Sequence, residues 1–295
     1  MIDVVLALLP ASLAGVYYFG SRAALVLLVS VLTAVLAEYF TRKVLKREQT
    51  IGDFSAVVSG LLLGLCLPPA IPLWITAVGA VLAIVVIKQL FGGIGQNFMN
   101  PALAARVILL ISWPIHMTNW IFPDGVSSAT PLAIIKGGAE VQGITLPSYM
   151  SLFSGNIAGC IGETSVLALL IGAIYLLIRR VIRIEIPLMF ILASGLFSWI
   201  FGGNGFFTGD FLYHIMAGGL ILGAFFMATD YSTTPVTIKG KIIFGLGCGL
   251  LTAIIRLYTN YPEGVSFAIL LMNIVTPLID RYTVPVSFGG DKNAA

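Results

Sequence analysis

Long apolar stretches recur along the whole chain, separated by short polar segments that contain glycine, proline or charged residues. A helix needs about 20 mainly apolar residues to cross a bilayer, and the pattern predicts about ten such spans. Because the stretches continue to the C-terminal end, none is interpreted as a removable signal peptide. The pattern therefore predicts an all-α polytopic membrane protein. The predicted spans are residues 2–19, 21–41, 53–67, 71–91, 101–113, 161–179, 185–201, 211–229, 241–258 and 264–280.

The composition supports the same class. Hydrophobic residues make up 58% of the 295 residues and charged residues only 10%, with a mean hydropathy of +1.02. A soluble domain averages about 25% charged residues, so an ordinary soluble protein is excluded. The net charge of +3 says little about acidic partners. We expect contact with the lipid bilayer and no nucleic-acid partner.

The placement of the basic residues predicts the orientation. Lys and Arg close to a span resist translocation and collect on the cytoplasmic side. With a cytoplasmic N-terminus, the inner side holds Arg42, Lys43, Lys46, Arg47, Lys88, Arg179, Arg180, Arg183, Lys239, Lys241, Arg281 and Lys292. The outer side then holds only Arg22, Lys136 and Arg256. This asymmetry predicts that both termini are cytoplasmic and that the segment 114–160 faces outward.

The two halves of the chain have similar sequence patterns. GLLLG at 60–64 is matched by GLILG at 219–223, and each is followed by a proline-marked turn, another span and a polar break. Each half has five spans, and an odd number inserts the second copy upside down, which predicts two inverted repeats. Broken segments at corresponding places mark the functional centre of such folds, here 97–106 and 262–273. The resulting divisions are 1–113 and 161–281 for the repeats, 114–160 for the outward segment and 282–295 for a cytoplasmic tail.

Polar residues in the broken segments are candidates for function. An arginine within a span costs about 2.5–3.5 kcal/mol on insertion scales, so Arg106 should face a partner, a phosphate or a watery cavity. The alternative is that Arg106 snorkels to the outer headgroups. Asn273 occupies the comparable place in the last span. The side chains of Asn97, Asn100 and Asn273 could serve a ligand or equally form hydrogen bonds that pack helices.

Acidic residues near span ends suggest a route for an ion. Asp230 ends the eighth span and Glu263 opens the tenth, where these carboxylates, with Asn273, could form a cation path. Helix capping is the alternative. Glu38 lies close to the basic loop 42–47 and is interpreted as a solvated partner of those charges.

Cysteine and histidine give no site of their own. Cys66, Cys160 and Cys248 lack the C-x-x-C spacing of zinc or iron–sulfur sites, so they are interpreted as small buried residues and no metal site is predicted. His116 and His214 are interpreted as polar surface or interface residues. No phosphate-binding G-x-x-x-x-G-K and no dinucleotide fingerprint is present, and no catalytic residue is predicted.

The longest polar interruption contains SSATPLAIIK at 127–136. Thr130 suits the cap position of a helix and Pro131 suits its first position. Free backbone N–H groups converge at the same place and favour a phosphate. The spacing therefore leaves open both a purely structural cap and a site for a phosphorylated ligand.

The same stretch resembles the flavinylation motif D-x-x-(S/T)-x-A-T of membrane subunits in Rnf complexes and sodium-pumping NADH:quinone oxidoreductases. Asp124, Ser127, Ala129 and Thr130 fall in register with that motif. On this motif and on further signature-like blocks along the chain, the sequence is identified as a member of the NqrB/RnfD family. The blocks are FMNPALAARVILL at 98–110, GETSVLALLIG at 162–172, FMATD at 226–230 and PEGVSFAILLMN at 262–273.

The resemblance implies a covalent flavin. The oxygen of Thr130 would form a phosphoester with FMN, attached by a separate flavin transferase outside the cytoplasmic membrane. The outward placement of 114–160 follows from the basic residues alone and agrees with this side. By this resemblance, the other candidates for the flavin site are Asp124, Ser127, Ser128, Ala129, Arg106 and Asn100.

The second half of the chain provides an internal control. Asp230 is followed by Thr233, but the position that corresponds to the acceptor is Val236, which has no hydroxyl. The sequence therefore predicts one covalent flavin and not two.

The resemblance also implies a function. The chain is expected to be a membrane flavoprotein subunit of an Rnf-type ferredoxin:NAD+ oxidoreductase in a bacterial inner membrane, relaying electrons coupled to Na+ or H+ translocation. The lack of a long extension before the first span favours this branch over the quinone reductases, which stay an alternative. Implied partners are a second covalent-flavin subunit, polytopic subunits and iron–sulfur subunits; non-covalent riboflavin is left open. The competing class is a small-solute channel without redox work.

Overall fold

The computed structural model describes residues 1–122, 129–137, 146–203, 205–259, 261 and 263–285, and these residues form mainly helices. In chain order they are α1 (Ile2–Val44), α2 (Ser55–Leu65), α3 (Leu73–Val81), α4 (Pro101–Ser112), α5 (Pro114–Met117), α6 (Pro131–Gly137), α7 (Tyr149–Ser154), α8 (Val166–Ile178), α9 (Glu185–Phe201), α10 (Phe211–Met216), α11 (Leu220–Leu222), α12 (Ile238–Tyr258) and α13 (Val265–Thr283). A 3₁₀ turn, Ile51–Asp53, precedes α2. The π-helical stretches Leu82–Gln89 and Gly223–Met227 continue α3 and α11.

Helix α1 contains the first two predicted spans. It is interrupted at Gly20, whose φ of +68° and ψ of −156° lie outside the helical region. The part before Gly20 packs closely on α8, where the backbone of Ala7 approaches Gly172. The part after Gly20 packs on α2, where the Ser30 hydroxyl donates to the Gly60 carbonyl (2.6 Å). The predicted boundary between spans 2–19 and 21–41 therefore coincides with the break.

The eighth predicted span, 211–229, is not one continuous helix. Helix α10 ends at Met216, a loop follows at 217–219, and the chain becomes helical again at α11. Gly218 and Gly219 have φ angles of +69° and +66°, which L-amino acids with side chains rarely adopt. The Arg256 guanidinium donates to the carbonyls of His214 (2.6 Å), Ala217 (3.0 Å) and Gly218 (2.9 Å). The prediction of an unbroken helix here is wrong, because two glycines and an arginine stabilise the open end of α10.

Replacing Gly219 by alanine is expected to destabilise the protein by about 1–3 kcal/mol, the usual cost of a backbone held in a sparsely populated conformation. A Cβ atom at this position would also clash with the Glu163 carboxylate. Gly52→Ala is the matched control, because nothing lies within 4 Å of a Cβ atom there. Thermal unfolding of both variants in detergent measures the difference. Equal stabilities would contradict a required left-handed backbone at Gly219.

The chain is a polytopic, helical membrane protein. Three described helices are long and apolar enough to cross a bilayer, namely Ile2–Val44, Ile238–Tyr258 and Val265–Thr283. Shorter apolar helices lie at Ser55–Leu65, Leu73–Gln89, Pro101–Ser112, Val166–Ile178 and Glu185–Phe201. Large apolar side chains are exposed along these helices, as Leu13 and Ile178 are, which suits a lipid solvent. The count of ten spans, the two inverted repeats and the four divisions of the chain stay predictions.

Candidate functional site

Arg106 lies in α4 and is buried, with 5% of its surface exposed. Its Nε donates to the Cys66 carbonyl (3.1 Å) and its Nη1 to the Ser266 hydroxyl (2.5 Å). Its Nη2 forms an ion pair with Glu263 Oε2 (2.5 Å). An arginine that snorkels to the headgroups would be exposed at its charged end, so the snorkelling alternative is wrong. The sequence-based expectation that Arg106 faces a partner is correct.

A second carboxylate and two thiols complete the surroundings of this guanidinium. Glu163 Oε1 lies 3.8 Å from Arg106 Nη2, and Cys160 Sγ lies 3.6 Å from the same nitrogen. The Cys160 thiol donates to the Cys66 carbonyl (3.1 Å). We call Cys66, Arg106, Cys160, Glu163, Glu263 and Ser266 the Arg106 cluster. Its partners come from sequence positions up to 160 residues away from Arg106.

Helix ends hold the Arg106 cluster in place. Glu163 precedes α8, which is capped by the Ser165 hydroxyl accepting from Ala168 N (3.3 Å). Glu263 directly precedes the Gly264 cap of α13, and Cys66 is the cap residue at the C-terminal end of α2. The N-terminal end of a helix favours negative charge and the C-terminal end favours positive charge. The carboxylates and the guanidinium therefore each meet helix ends of favourable sign.

Asn100 and Asn273 lie at the other end of the α4–α13 contact. The Asn100 side chain caps α4 by accepting from Ala102 N (3.0 Å), and its Nδ2 donates to the Met227 carbonyl (3.3 Å). In the orientation that satisfies both its groups, the Asn273 amide accepts from Asn100 N (3.1 Å) and donates to the Thr233 carbonyl (3.3 Å). Both asparagines thus make hydrogen bonds that pack helices, as the structural alternative expects.

Helices α4 and α13 therefore run antiparallel through the molecule. The start of α13 meets Arg106 of α4, and the start of α4 meets Asn273 of α13. Helix α13 begins at Val265, two residues after Glu263, and eight helical steps, about 12 Å at 1.5 Å per residue, separate Val265 from Asn273. Polar groups thus mark both ends of this helix pair.

A cavity of about 290 Å³ opens beside the start of α4. Phe225 and Phe226 supply aromatic walls, and Lys88, Asn97, Asn100 and Asp230 supply polar ones. Asn97 is buried, and its Oδ1 has no hydrogen-bond partner among the described residues. We call this space the inner cavity, because the predicted cytoplasmic residue Lys88 lines it.

Asp230 borders the inner cavity and does not meet Glu263. Its carboxylate accepts from the Ser232 hydroxyl (3.2 Å), and its carbonyl accepts from the Thr234 hydroxyl (2.8 Å). These hydrogen bonds stabilise the turn after Gly223–Met227. The structure therefore places the predicted ion-path residues at two ends of the helix pair, with Asp230 and Asn273 at one end and Glu263 at the other.

Glu38 is fully buried, with no exposed surface, so its interpretation as a solvated residue is wrong. Its carboxylate pairs with Lys88 Nζ (2.9 Å) and lies 3.7 Å from Arg42 Nε. Gln89 Nε2 (2.9 Å) and the Thr50 hydroxyl (2.8 Å) also donate to it. The physical reason is that Lys88, from the π-helical stretch that continues α3, neutralises the carboxylate, which lets both charges enter the interior.

Thr130 caps α6 as the sequence predicts. Its hydroxyl oxygen accepts from Ala133 N (3.3 Å), and the residue is 3% exposed. Leu132 of α6 packs in a small apolar cluster that includes Leu152 and Ile157. Ala129, which precedes Thr130, is partly buried. The candidates Asp124, Ser127 and Ser128 lie outside the described residues.

A second cavity, of about 240 Å³, borders α6. Leu132, Lys136, His214, Arg256 and Tyr258 contribute to its wall. Lys136 Nζ donates to the Arg256 carbonyl (3.0 Å). His214 is 4% exposed and its Nδ1 has no partner among the described residues, so of its two interpretations, a surface or an interface residue, the first is wrong. We call this space the outer cavity, because Lys136 and Arg256 are predicted to be extracytoplasmic.

Comparison with known proteins decides the family. The profile of the NQR2, RnfD, RnfE family matches residues 1–289. The chain belongs to this family. The resemblance drawn from the signature-like blocks is therefore confirmed.

Individual members of the NQR2, RnfD, RnfE family match this chain over almost their full length. The D-type subunit of the proton-translocating ferredoxin:NAD(+) oxidoreductase complex from Clostridium ljungdahlii is 48% identical over 300 residues, covering 98% of the chain and 91% of the relative. Its counterpart in the Na(+)-translocating complex from Acetobacterium woodii is 48% identical over 297 residues, covering 99% and 91%. The D-type subunit of an ion-translocating oxidoreductase complex from Stutzerimonas stutzeri is 40% identical over 324 residues, covering 98% and 91%.

Two of these relatives are named for different ions at the same overall identity of 48%. Overall similarity to these D-type subunits therefore does not choose between H+ and Na+. For this member of the NQR2, RnfD, RnfE family, the choice must rest on local chemistry. The Arg106 cluster and both cavities lie within the matched residues.

Proposed function

We propose that the chain is the D-type membrane subunit of an Rnf ferredoxin:NAD+ oxidoreductase and carries FMN as a phosphoester on Thr130. Its relatives are named as subunits of ion-translocating oxidoreductase complexes. We assign to the complex that contains this chain the same activity, that of an oxidoreductase and translocase. The observation that carries the covalent flavin is the position of Thr130. It falls in register with the flavinylation motif and caps α6 beside the outer cavity.

The residues around α6 fit an anionic flavin. Lys136 and Arg256 bring positive charge to the outer cavity, and the unpartnered Nδ1 of His214 offers a further polar contact. Tyr258 and Leu132 would shield a bound ring from water. The flavin, once bound, supplies one-electron and two-electron transfer. The protein's own residues then hold the phosphate, orient the ring and exclude solvent.

The burial of Thr130 constrains when the flavin is attached. With 3% of the residue exposed, a transferase cannot reach the hydroxyl while α6 is packed. We therefore expect attachment before α6 docks against Leu152 and Ile157, or in a state in which α6 is released. The cap hydrogen bond from Ala133 N can persist afterwards, since a phosphoester oxygen still accepts.

The inner cavity fits a second, non-covalent flavin such as riboflavin. Phe225 and Phe226 offer aromatic surface to a ring, and the free Oδ1 of Asn97 offers an acceptor to its polar edge. Asn100 and Asp230 lie in the same wall. The cavity's size, about 290 Å³, is near the lower end of small-molecule pockets, so a ring would fill it closely.

The polar residues along α4 and α13 support an ion path. Asp230 lies at the inner cavity, Asn273 lies beside the start of α4, and Glu263 lies with Arg106 at the opposite end. Ionisable residues inside a membrane protein commonly mark such routes. We propose that these residues line the route of the translocated ion, in addition to the hydrogen bonds by which Asn273 packs helices and Asp230 stabilises a turn.

We place the protein in a bacterial inner membrane with both termini cytoplasmic and α6 outside. Two contacts support this orientation, because each joins residues that are predicted to lie on the same side. Arg47 donates to the Gln89 carbonyl (2.9 Å), next to Lys88, on the predicted cytoplasmic side, and Lys136 donates to the Arg256 carbonyl on the predicted outer side. The proposed partners are a second covalent-flavin subunit, polytopic subunits and iron–sulfur subunits. A flavin transferase acts during maturation, and lipid surrounds the exposed apolar faces.

Coexpression with a flavin transferase tests the proposal. The native chain should exceed its sequence mass by one FMN less one water and should fluoresce in a denaturing gel. Thr130→Ala should lose both signals, whereas Thr118→Ala, which removes another hydroxyl from the same segment, should keep them. Denaturation should release riboflavin from all three proteins, because the inner cavity does not involve Thr130.

An unmodified native chain from a host with active transferase would contradict the covalent flavin. It would favour the competing class, a passive channel for small solutes. Retention of the added mass in Thr130→Ala would place the flavin on another residue. A modified chain that purifies with a quinone reductase would instead favour the sodium-pumping branch.

A further inference from the structure

The Arg106 cluster holds more negative than positive charge. Two carboxylates, those of Glu163 and Glu263, lie within 4 Å of a single guanidinium. Both glutamates are buried, with 7% and 9% of their surfaces exposed. Arg256, another buried arginine, donates to three backbone carbonyls, and its charge also acts on both glutamates. Buried charge is costly unless it is balanced at close range, and Arg106 pairs closely with Glu263 but lies 3.8 Å from Glu163, so a cation beside Glu163 would be stabilised.

The geometry shows where that cation would lie. Glu263 uses Oε2 for Arg106, while its Oε1 is buried and has no partner among the described residues. Ligand atoms of Glu163, Glu263 and Cys160 all lie within 4.8 Å of one another. A small cation between the carboxylates would contact both. Carboxylate oxygens are the ligands that hard cations prefer, and two close carboxylates can instead share a proton.

The charge and the thiol argue for a monovalent occupant. One bound monovalent cation balances the two carboxylates together with Arg106, whereas a divalent ion would add excess positive charge beside Arg106 and the nearby Arg256. Cys160 donates its S–H to the Cys66 carbonyl, so it is held as a thiol and not as the thiolate that transition metals bind. Arg106 lies 3.6 Å from this sulfur and further opposes a metal there.

We infer that Glu163 and Glu263 together bind one monovalent cation, H+ or Na+, opposite the fixed charge of Arg106. The inference rests on the proposed function, because it assigns a binding site to the ion that the complex translocates. Arg106 acts as a positioning residue: it orients Glu263 and prevents the pair from retaining a second cation.

The site is also linked to the helix that carries Thr130. The loop at 217–219 passes directly beside the Glu163 carboxylate at Gly219, and at Gly218 it touches Leu132 of α6. A movement of α6 would therefore be transmitted to Glu163 through two residues of backbone. This contact gives cation binding and the outer cavity a shared structural element.

Infrared difference spectroscopy on the purified complete complex, with isotope-labelled glutamate, tests the site directly. The probes are a pH change without Na+ and Na+ addition at fixed pH. A glutamic-acid carbonyl band that responds to pH identifies H+, and a carboxylate shift on Na+ addition identifies Na+; either supports the inference. No glutamate response to either probe in the native complex would overturn it, and this result needs no variant.

Glu163→Gln and Glu263→Gln assign the response to its residues. Each should weaken cation binding by about tenfold or more, which corresponds to about 1.4 kcal/mol of lost attraction. In liposomes, each should lower the number of ions moved per electron, while the Thr130 flavin band persists. Glu48→Gln, which changes an exposed carboxylate, should leave all of these unchanged.

The outcomes separate this inference from the proposed function. An infrared response and ions per electron that are unaltered in both glutamine variants would overturn the cation site while leaving the flavin subunit intact. Absence of the flavin in the native chain would instead overturn the proposed function. If one glutamine variant does not assemble, the other still assigns the response, and a native complex without any glutamate response still overturns the inference.

Discussion

Replacing Arg106 by methionine is expected to destabilise the folded protein by about 3–5 kcal/mol, the range found when one partner of a buried ion pair is removed. The variant leaves the carboxylates of Glu163 and Glu263 without their guanidinium. It also removes one of the two donors to the Cys66 carbonyl, the other being the Cys160 thiol, and the donor to the Ser266 hydroxyl. Thermal unfolding of the detergent-solubilised chain, together with the yield of folded protein, measures the loss.

The Arg106 cluster has one guanidinium and two carboxylates, so removing the guanidinium should cost more stability than removing one carboxylate. Glu263→Gln should cost clearly less than Arg106→Met, because the guanidinium still faces Glu163 and a glutamine oxygen can still accept from Nη2. The double variant should be more stable than Arg106→Met alone, since it removes one of two unpaired charges. Arg183→Met, at an exposed arginine, is the control and should change stability by less than about 0.5 kcal/mol. Equal costs for Arg106→Met and Arg183→Met would refute a buried ion pair.

The sequence predicts local features of this protein well, because local chemistry determines them. Thr130 and Pro131 start α6 as their cap and first-turn preferences require. Gly20 separates the first two spans where the apolar pattern does. The predicted span 101–113 begins at Pro101, where α4 begins. Each of these features depends on a few adjacent residues.

The Arg106 cluster shows what local patterns cannot give. The sequence identifies Arg106 as needing a partner and Glu263 as a candidate carboxylate, but it assigns them to different sites. Glu163 is not among the sequence-based candidates, although it lies within the signature-like block GETSVLALLIG. Cys66 and Cys160 are buried as predicted, yet sequence reasoning misses their contacts with Arg106. These pairings join residues 40 to 160 positions apart, so only tertiary packing determines them.

The broken helix at 217–219 escapes sequence reasoning for a different reason. Ala217, Gly218 and Gly219 are not polar, so the apolar pattern continues across them. The break depends on positive φ angles at the two glycines and on donors from Arg256, which is 38 residues beyond Gly218. A glycine pair within an apolar run is the local signal that could have indicated it.

Replacing Lys88 by methionine is expected to cost about 3 kcal/mol, the lower end of the range for breaking a buried ion pair. Lys88 is 2% exposed and binds both Glu38 Oε2 (2.9 Å) and the Ser55 hydroxyl (2.5 Å). The cost should not be higher, because Arg42 stays 3.7 Å from the Glu38 carboxylate and can partly replace the lost charge. Unfolding of the detergent-solubilised chain measures the loss.

This prediction separates the two interpretations of Glu38. If Glu38 were a solvated partner of the basic loop, Lys88→Met would cost less than about 1 kcal/mol, as exposed pairs do. If it is buried, the double variant Lys88→Met with Glu38→Gln should recover most of the stability, because a neutral amide can keep the hydrogen bond from Thr50. Lys46→Met, at an exposed lysine of the same loop region, should have no measurable effect. Suppose that stability recovers in the double variant and that Lys46→Met loses none. This result would show that Glu38 can lie in the interior because Lys88, 50 residues away in the sequence, neutralises its charge.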